Sequence, residues 1–373
     1  MTLIVSLTFP LFQTPRGAIL IFLFLQKLRL IVPKALPKIG IDSTLTHYIA
    51  SLPSTISLPT RWSLDEPAML DGTSLKAAVS AKLRSLRREF DHVYTSTKGF
   101  EWFHSEDNNV DTHIFFETWL EVDAMYRSRA LDLPGTGHGM VPCVDLANHA
   151  TGYKTVALYE TNCEGDAVLI LGEDKVLKEG EEVTITYGDQ KGACEMLFSY
   201  GFIDESMASA QELFLDLDIP EDDPLRPAKL AFSDSPPGVR LFLIDNQLKW
   251  ESTFIWLICV NEEDGLGFQV AQQESGHGEL LVSWKEAVIC DAATLKDIIH
   301  CEPNWDLFDL RAQVTIQDRV EKQLRAICGS KNLFTDQDPD AFSHEIVNIL
   351  KLRDLEENLL LKTLEFLDLE VSM

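Results

Sequence analysis

The sequence predicts an α+β protein in which a region of short strands lies between two mostly helical regions. Apolar residues recur at helical spacing between residues 44 and 131. Short β-branched runs then alternate with glycine turns between residues 132 and 205, and helical spacing returns beyond residue 240. Because the chain has 373 residues, about twice the usual length of one domain, we expect two or three packed units.

The composition is that of a globular protein with a strongly acidic surface. Hydrophobic residues make up 45% and charged residues 24% of the chain, which excludes disordered, collagen-like and coiled-coil proteins. The formal net charge is −27, from 32 basic and 59 acidic residues. Such a charge repels nucleic acids and anionic membranes, so we expect neither as a partner, and it favours a basic protein. Solubility alone is the alternative explanation.

The seven cysteines are widely dispersed, and none forms a CxxC or CxC pair. No zinc cluster or other metal site is therefore expected. An odd, dispersed set of this kind is typical of reduced thiols, which predicts a cytoplasmic or nuclear protein, or one present in both compartments.

Near the N-terminus, residues 17–25 form a run of nine apolar residues, GAILIFLFL. A membrane span needs about 20. The run lies late for a signal peptide, and no small-residue cleavage site follows it. We therefore expect a buried strand, or an error in the start of the gene model, in preference to an anchor. Residues 29–41 predict a strand that ends at prolines.

Two helices are predicted in the region 44–131. In the first, apolar residues recur at helical spacing from Leu75, and Thr73 or Ser74 can cap its start. The second is marked by an apolar stripe that we assign to the core: Phe115, Trp119, Val122 and Tyr126.

Strand signals dominate after this region. The glycine-rich segment PGTGHG predicts a flexible return rather than a phosphate loop, because it lacks the Lys-Ser/Thr ending. Apolar or alternating runs predict strands over residues 140–146, 153–159, 167–171 and 183–187. Residues 178–181 predict a turn, and residues 193–200 a short helix.

The C-terminal part begins with an acidic, proline-rich stretch, residues 216–240, which predicts a surface loop or linker. Helices are expected to dominate from residue 240 onward. The clearest is an amphipathic helix, or pair of helices, over residues 346–367.

Motifs of the commonest enzyme classes are absent. The sequence has no GxSxG, HExxH or GxGxxG, so serine hydrolases, zincins and Rossmann enzymes have little support. Two segments remain. VPCVDLANHA ends in Asn148-His149, where an amide and a strand-end backbone can pair with an adenine edge. VTITYGDQKGACEMLFSYGF places Tyr187 and Tyr200 before glycines, and tyrosines suit a narrow channel for an aliphatic amine.

Taken singly, each of these residues has an ordinary structural explanation, as a capping Asn, a structural His or a core Tyr. Jointly, DxxNH, a hairpin with a KEGEE turn and TYG…LxxxYGF resemble the SET-domain methyltransferases. The chain is most similar to the branch of the Rubisco large-subunit methyltransferase. The resemblance implies a SET-type β-fold with a helical insert, followed by a mostly helical C-terminal domain.

This resemblance also implies domain boundaries. Residues 1–43 match the N-terminal part of the SET domain, residues 44–131 the helical insert, residues 132–205 the C-terminal catalytic part, and residues 206–373 a helical substrate-binding-like domain. One departure concerns the N-terminal cofactor loop of the family, which contains GxG. Residues 1–28 are atypical here, and Arg16-Gly17 is the one candidate remnant of that motif.

Residue roles follow from the same resemblance. Asn148 and His149 are implied to bind S-adenosylmethionine, and Tyr200 to be the catalytic tyrosine, with Tyr187 lining the same lysine channel. The substrate side is implied to carry Arg129 and Asp145.

The resulting hypothesis is an S-adenosylmethionine-dependent protein-lysine N-methyltransferase. Its expected substrate is a basic, non-histone protein, such as a ribosomal or translation protein. Two alternatives stay open. One is a degenerate SET fold that binds a basic partner without catalysis, because its N-terminal cofactor loop is missing. The other is methylation of histidine in a similar channel.

Overall fold

The computed structural model describes residues 13–31, 44–53, 55–62, 66–97, 112–135, 137–272, 278–330 and 342–371. The helices of this part are α1 (Pro15–Ile31), α2 (Thr44–Ser51), α3 (Glu66–Met69), α4 (Ser74–Ser96), α5 (Thr112–Arg129), α6 (Ala193–Tyr200), α7 (Arg226–Phe232), α8 (Phe254–Cys259), α9 (Ala292–His300), α10 (Trp305–Gly329) and α11 (His344–Val371). The strands are β1 (Leu131–Leu133), β2 (Gly137–Gly139), β3 (Asn148–His149), β4 (Ala157–Thr161), β5 (Ala167–Leu171), β6 (Thr184–Ile185), β7 (Glu212–Asp216), β8 (Gly238–Ile244), β9 (Gln247–Glu251), β10 (Leu266–Gln272), β11 (Gly278–Trp284) and β12 (Ala287–Ile289).

Helix α1 corrects the expectation of a strand near the N-terminus. The apolar run 17–25 and residues 29–31 are both helical, whereas residues 32–43 lie outside the described part. Leu20, Phe24 and Leu28 share one buried face of α1, and the ring of Phe24 meets that of Trp119 edge to face at 5.5 Å. A short apolar run has no clear periodicity of its own, so packing against α5 decides its conformation. In the described part, no helix combines the length and apolar character of a membrane span.

The two helices predicted for the insert are present as α4 and α5, and the predicted stripe on α5 is buried. Thr73 occupies the N-cap position of α4, but its hydroxyl donates to the carbonyl of Leu70 instead. The cap comes from α11, where the buried carboxylate of Glu356 accepts hydrogen bonds from the backbone N–H (3.0 Å) and the hydroxyl of Ser74. A C-terminal helix therefore caps a helix of the insert.

The backbone just before α4 is held by the same helix. The guanidinium of Arg353 donates to the carbonyls of Met69 and Asp71. Gly72 has a φ of +83°, and a Cβ there would lie 2.6 Å from the backbone of α10, so a side chain at this position has no room. The start of α4 is thus built into the C-terminal helices.

A buried carboxylate joins α1, α4 and α5. Asp123 is 1% exposed and accepts from Arg16 (2.8 Å) and Lys82 (2.9 Å), while Arg127 lies 3.4 Å away. Burial raises the pKa of Asp123, but these three cations outweigh it and hold the pKa below its ordinary value. The guanidinium of Arg16 is therefore bound to carboxylates of α4 and α5, and Arg16-Gly17 lies in a helix rather than in a glycine loop.

Three two-stranded sheets follow the insert. β1 pairs with β2 and β4 with β5, both antiparallel, and β3 pairs in parallel with β6. Residues 137–139 of the segment PGTGHG form strand β2, so the predicted flexible return is wrong for them, and Thr136 lies outside the described residues. The predicted strand over residues 140–146 is also wrong. Pro142 lacks an N–H, and Cys143 has a φ of 74°, after which a short 3₁₀ turn forms.

Other predictions for this region hold more closely. Strand β5 and helix α6 have the predicted bounds, and the backbone N–H of Glu181 closes the predicted turn on the carbonyl of Lys178 at 3.1 Å. The strand predicted over residues 153–159 starts later, at Ala157. Of the strand predicted over residues 183–187, only Thr184 and Ile185 form a strand, β6.

The C-terminal region is helical over its last part, and α11 matches the predicted amphipathic helix. It also contains two three-stranded antiparallel sheets, β7–β8–β9 and β10–β11–β12, that the sequence did not predict. The acidic stretch 216–240 is only partly a loop, because it contains α7. The ammonium of Lys229 is fully buried there and donates to Asp223 and Asn261, which anchors this segment to the core.

Candidate active site

Four of the six predicted site residues line one cavity of about 90 Å³ in the β region. Arg129 ends α5, Asp145 lies in the 3₁₀ turn before β3, Tyr187 follows β6, and Tyr200 ends α6. The fold brings together residues that are up to 71 positions apart in the sequence. The cavity is also lined by residues without a predicted role: Ser128, Ala130, Leu131, Asp132, His138, Ala147, Tyr159, Ile185 and Lys191.

The two tyrosines form one wall of this cavity. Their ring centroids are 4.6 Å apart, and the hydroxyl of Tyr187 donates to the carbonyl of Ala147 at 2.9 Å. The hydroxyl of Tyr200 lies 3.5 Å from the carbonyl of Tyr187, at the limit of a hydrogen bond. Burial, followed by the negative charge of Glu195, raises the pKa of Tyr200 to about 12. Tyr200 is therefore a neutral hydrogen-bonding phenol at physiological pH and not a base.

A buried carboxylate lies beside the tyrosines. Arg129 donates from Nη1 to the backbone carbonyl of Asp145 at 2.9 Å, and the same nitrogen lies 3.9 Å from Oδ2 of Asp145. The hydroxyl of Tyr48 donates to that Oδ2. Burial raises the pKa of Asp145, although Tyr48 and Arg129 oppose this shift. Tyr48 belongs to α2, and no motif in its part of the sequence indicated a place at the site.

Two polar atoms of these residues are buried without a hydrogen-bond partner in the described part of the chain: Nε of Arg129 and Oδ1 of Asp145. Buried polar groups are usually satisfied, and each unsatisfied one costs about 1–3 kcal/mol. Both belong to residues that line the cavity.

His149 and Asn148 lie next to this cavity on β3, and they have different environments. The ring of His149 is 3% exposed, and its Nδ1 accepts a hydrogen bond from the backbone N–H of Tyr187 at 3.0 Å. Burial lowers the pKa of His149, so the ring is neutral, with its proton on Nε2, 3.6 Å from Asp204. His149 therefore fixes the position of Tyr187.

The side chain of Asn148 is exposed, and its Nδ2 donates to the carboxylate of Glu182 at 2.5 Å. It does not line the cavity with the other four residues. Among the described strands, β3 is paired only with β6, so within the described part the backbone edge on its other side, beside Asn148, has no strand partner. An open backbone edge with an amide next to it is a suitable place for a heterocycle that both donates and accepts hydrogen bonds.

Comparison with known proteins places this arrangement in a family. No family model matches the chain. SET domain-containing protein 8 of Schizosaccharomyces pombe is 30% identical over 323 residues, which are 84% of this chain and 68% of that protein. The chain belongs to the SET-domain family. Residues recognised from two short segments, 141–150 and 183–202, are thus part of a similarity that extends over most of the chain.

Two plant relatives of this SET-domain protein are named as N-methyltransferases. The fructose-bisphosphate aldolase-lysine N-methyltransferase of Arabidopsis thaliana is 28% identical over 200 residues. The Rubisco large-subunit N-methyltransferase of Pisum sativum is 30% identical over 206 residues. The match covers 52% of this chain and 40% of each plant protein, so it spans less than half of their length. The predicted class of enzyme agrees with both names.

Solved structures agree on the fold of the SET-domain protein. The SET domain of LSMT bound to methyllysine and AdoHcy superimposes with a TM-score of 0.64 at 17% identity, covering 98% of this chain and 76% of that one. Rubisco LSMT bound to AdoMet gives 0.61 at 16% identity, with 95% and 74% covered. The predicted SET-type α+β fold and the predicted branch are confirmed.

Proposed function

We propose that this SET-domain protein is an S-adenosylmethionine-dependent protein-lysine N-methyltransferase. The observation that carries the proposal is the cavity that is lined by the neutral phenol of Tyr200, by Tyr187 and by the buried carboxylate of Asp145. An aliphatic amine fits aromatic walls, and a buried carboxylate attracts it as an ammonium. The names of the two plant relatives support the same chemistry.

The described residues fit S-adenosylmethionine at two places. The open edge of β3 with the exposed Asn148 suits the adenine, and the unsatisfied Nε of Arg129 suits an anionic or polar group of the cofactor. Arg16-Gly17 does not supply the glycine loop, because it lies in α1 with its guanidinium bound to Glu89 and Asp123. We therefore propose that Asn148 and the backbone of His149 on β3 hold the cofactor, and that Arg129, which the resemblance implies on the substrate side, contacts the cofactor as well.

When bound, S-adenosylmethionine supplies an electrophilic methyl group on a sulfonium. The chain must present an unprotonated lysine amine, whose free pKa is about 10.4. A narrow cavity with aromatic walls removes water from the ammonium and lowers that pKa, whereas Asp145 opposes the shift. The hydroxyl of Tyr200 is poised to align the amine, and His149 keeps Tyr187 in place.

We further propose that the substrate is a basic, non-histone protein, such as a ribosomal or translation protein. The net charge of −27 supports a basic partner, because opposite charges accelerate encounter. The fact that the named targets of the plant relatives are the enzymes aldolase and Rubisco supports a non-histone target.

One observation favours the alternative of a binding module without catalysis, namely the helical conformation of Arg16-Gly17. A single experiment separates the two. The purified protein is incubated with methyl-labelled S-adenosylmethionine and a cell extract, and labelled proteins are identified by mass spectrometry. Methyllysine on discrete extract proteins, absent when the protein is omitted, supports the enzyme. A protein that binds basic extract proteins but transfers no label would be a binding module.

A further inference from the structure

We propose that Lys191 is a self-methylation site, which accepts a methyl group from the protein's own active site. This inference rests on the proposed function. Lys191 is the lysine among the residues that line the cavity of Tyr187 and Tyr200. The protein thus carries, at its own site, the functional group on which the proposed reaction acts.

The stem of Lys191 lies over a glycine that leaves room for it. Gly188 has a φ of +127°, and a Cβ there would lie 3.0, 3.2 and 3.3 Å from three stem carbons of Lys191. Any other residue at position 188 would push the stem away. The ammonium forms an ion pair with Glu195 and lies 6.0 Å from the ring centroid of Tyr200. The amine therefore lies near the proposed catalytic tyrosine.

Little holds the ammonium in its present position. The side chains of Lys191 and Glu195 are 28% and 42% exposed, and ion pairs that water reaches contribute little to stability. The lysine stem is flexible, so rotation about its bonds moves the amine from Glu195 into the cavity at small cost. Because the amine is tethered beside the site, the reaction is intramolecular and needs no second molecule.

The proposed methyl transfer conserves atoms and electrons. The ammonium of Lys191 first loses a proton to water. The nitrogen lone pair then forms the new N–C bond as the S–C bond of S-adenosylmethionine breaks, and the electron pair of that bond stays on sulfur. The products are N-methyl-lysine and S-adenosylhomocysteine, and no oxidant or reductant takes part.

The competing explanation is that the Lys191–Glu195 pair only stabilises the start of α6, as pairs four residues apart do. Incubation of the 373-residue protein with S-adenosylmethionine, followed by peptide mass spectrometry, separates the two explanations. We expect a mass gain of one methyl group on Lys191 and none on Lys178, an exposed lysine that does not line the cavity. The initial fraction modified per minute should not change over a tenfold range of protein concentration. Lys191→Arg should lose the label, and Lys178→Arg should keep it.

A readout without cofactor tests the geometry. In reductive methylation with formaldehyde and a borohydride, Lys191 should react more slowly than Lys178, and Glu195→Gln should accelerate Lys191 alone. Equal rates for the two lysines, unaffected by Glu195→Gln, would overturn the placement of the amine.

The outcomes also distinguish this inference from the proposed function. Label on extract proteins with an unmodified Lys191 would overturn self-methylation and leave the methyltransferase. Label on neither would overturn both. Modification of Lys191 at a rate proportional to protein concentration would overturn the intramolecular transfer.

Discussion

The hydroxyl of Tyr48 donates a hydrogen bond to the carboxylate of Asp145, which ties helix α2 to the candidate active site across 97 positions of sequence. Both groups are partly removed from water, and the pKa of Tyr48 is raised by burial and by the neighbouring negative charge. Among the described residues in contact with this carboxylate, Arg129 is the cation.

Tyr48→Phe should destabilise the folded protein. The change keeps the ring and removes the donor to a buried carboxylate, which costs about 1–3 kcal/mol. Urea unfolding at pH 8 measures it. Tyr153→Phe is the control. Tyr153 is 82% exposed, so removal of its hydroxyl should leave the free energy of unfolding almost unchanged. Equal unfolding midpoints for the two variants would show that the Tyr48 contact contributes nothing.

Asn148→Ala should weaken the binding of S-adenosylmethionine. Loss of one hydrogen-bonding amide costs about 1 kcal/mol, which is about fivefold in Kd. Isothermal titration of both proteins measures the difference. Asn162→Ala is the control, because the carboxamide oxygen of Asn162 accepts from the backbone of the turn between β4 and β5 and lies in no predicted cofactor site. An unchanged Kd for Asn148→Ala would remove this residue from the cofactor site.

Tyr200→Phe should abolish most of the turnover and leave folding nearly unchanged. The ring contact with Tyr187 survives, and within the described part of the chain the hydroxyl makes one weak hydrogen bond, at 3.5 Å. Loss of one or two transition-state contacts lowers turnover by roughly 10–1000-fold.

A labelled-methyl assay and thermal melts, run on both proteins, test this. Tyr159→Phe is the control. Tyr159 lines the same cavity but has no predicted role, so this variant should lose far less activity. If Tyr200→Phe kept wild-type turnover, the assignment of a catalytic tyrosine would be wrong. If it melted much lower, Tyr200 would be a core residue.

Glu356 should give the protein a distinctive pH dependence of stability. Complete burial raises its pKa to about 7, while hydrogen bonds from Ser74 and the charge of Arg353 oppose the shift. In the unfolded chain its pKa is about 4.3, so the folded state binds more protons between these values. The contribution of Glu356 is therefore fully present below about pH 4.3 and is lost as the pH rises through about 7.

The measurement compares wild type with Glu356→Gln by urea unfolding from pH 5 to pH 8. Glutamine can still accept from Ser74 and carries no charge. We expect the stability of wild type relative to Glu356→Gln to fall by about 3 kcal/mol over this range, at up to about 1.4 kcal/mol per pH unit. A constant difference between the two proteins would contradict the shifted pKa.

Salt tests the proposed basic substrate. The net charge of −27 should raise the rate of encounter with such a protein, and exposed charges are screened beyond about 8–10 Å near physiological ionic strength. We expect kcat/KM for the identified substrate to fall as salt is added, while kcat changes little. A flat salt profile would leave solubility as the role of the acidic surface.

The residues of the site were predictable where a motif carries the chemistry. The segments around Asn148 and Tyr200 were recognised because their spacing is specific, and the structure brings Arg129, Asp145, Tyr187 and Tyr200 to one cavity. Tyr48 was missed for a physical reason. Its contact with Asp145 depends on how α2 packs, and nothing in the local sequence encodes the distance between two segments 97 residues apart.

Elements of the fold were likewise predictable where the signal is local, and were missed where distant contacts decide the conformation. Helices α4 and α6 have strong local signals, so the start of α4 and both ends of α6 were close to those predicted. Helix α1 was mistaken for a strand because an uninterrupted apolar run suits either conformation, and contact with Trp119 decides the outcome. Sheets β7–β9 and β10–β12 were missed because the preference for a strand depends on its pairing partner and its burial, which the local sequence does not specify.

The cap that Glu356 provides to Ser74 has a consequence for synthesis of the chain. The two residues are 282 positions apart, so at about 5–20 residues per second the ribosome adds the second roughly 15–60 s after the first. Throughout that interval the start of α4 lacks its acceptor, and Leu75 and Val79 lack the C-terminal part of the core cluster that buries them. The insert and the C-terminal helices must then reach their native packing together, late in translation, and the unfinished chain exposes an apolar surface of the kind that chaperones bind.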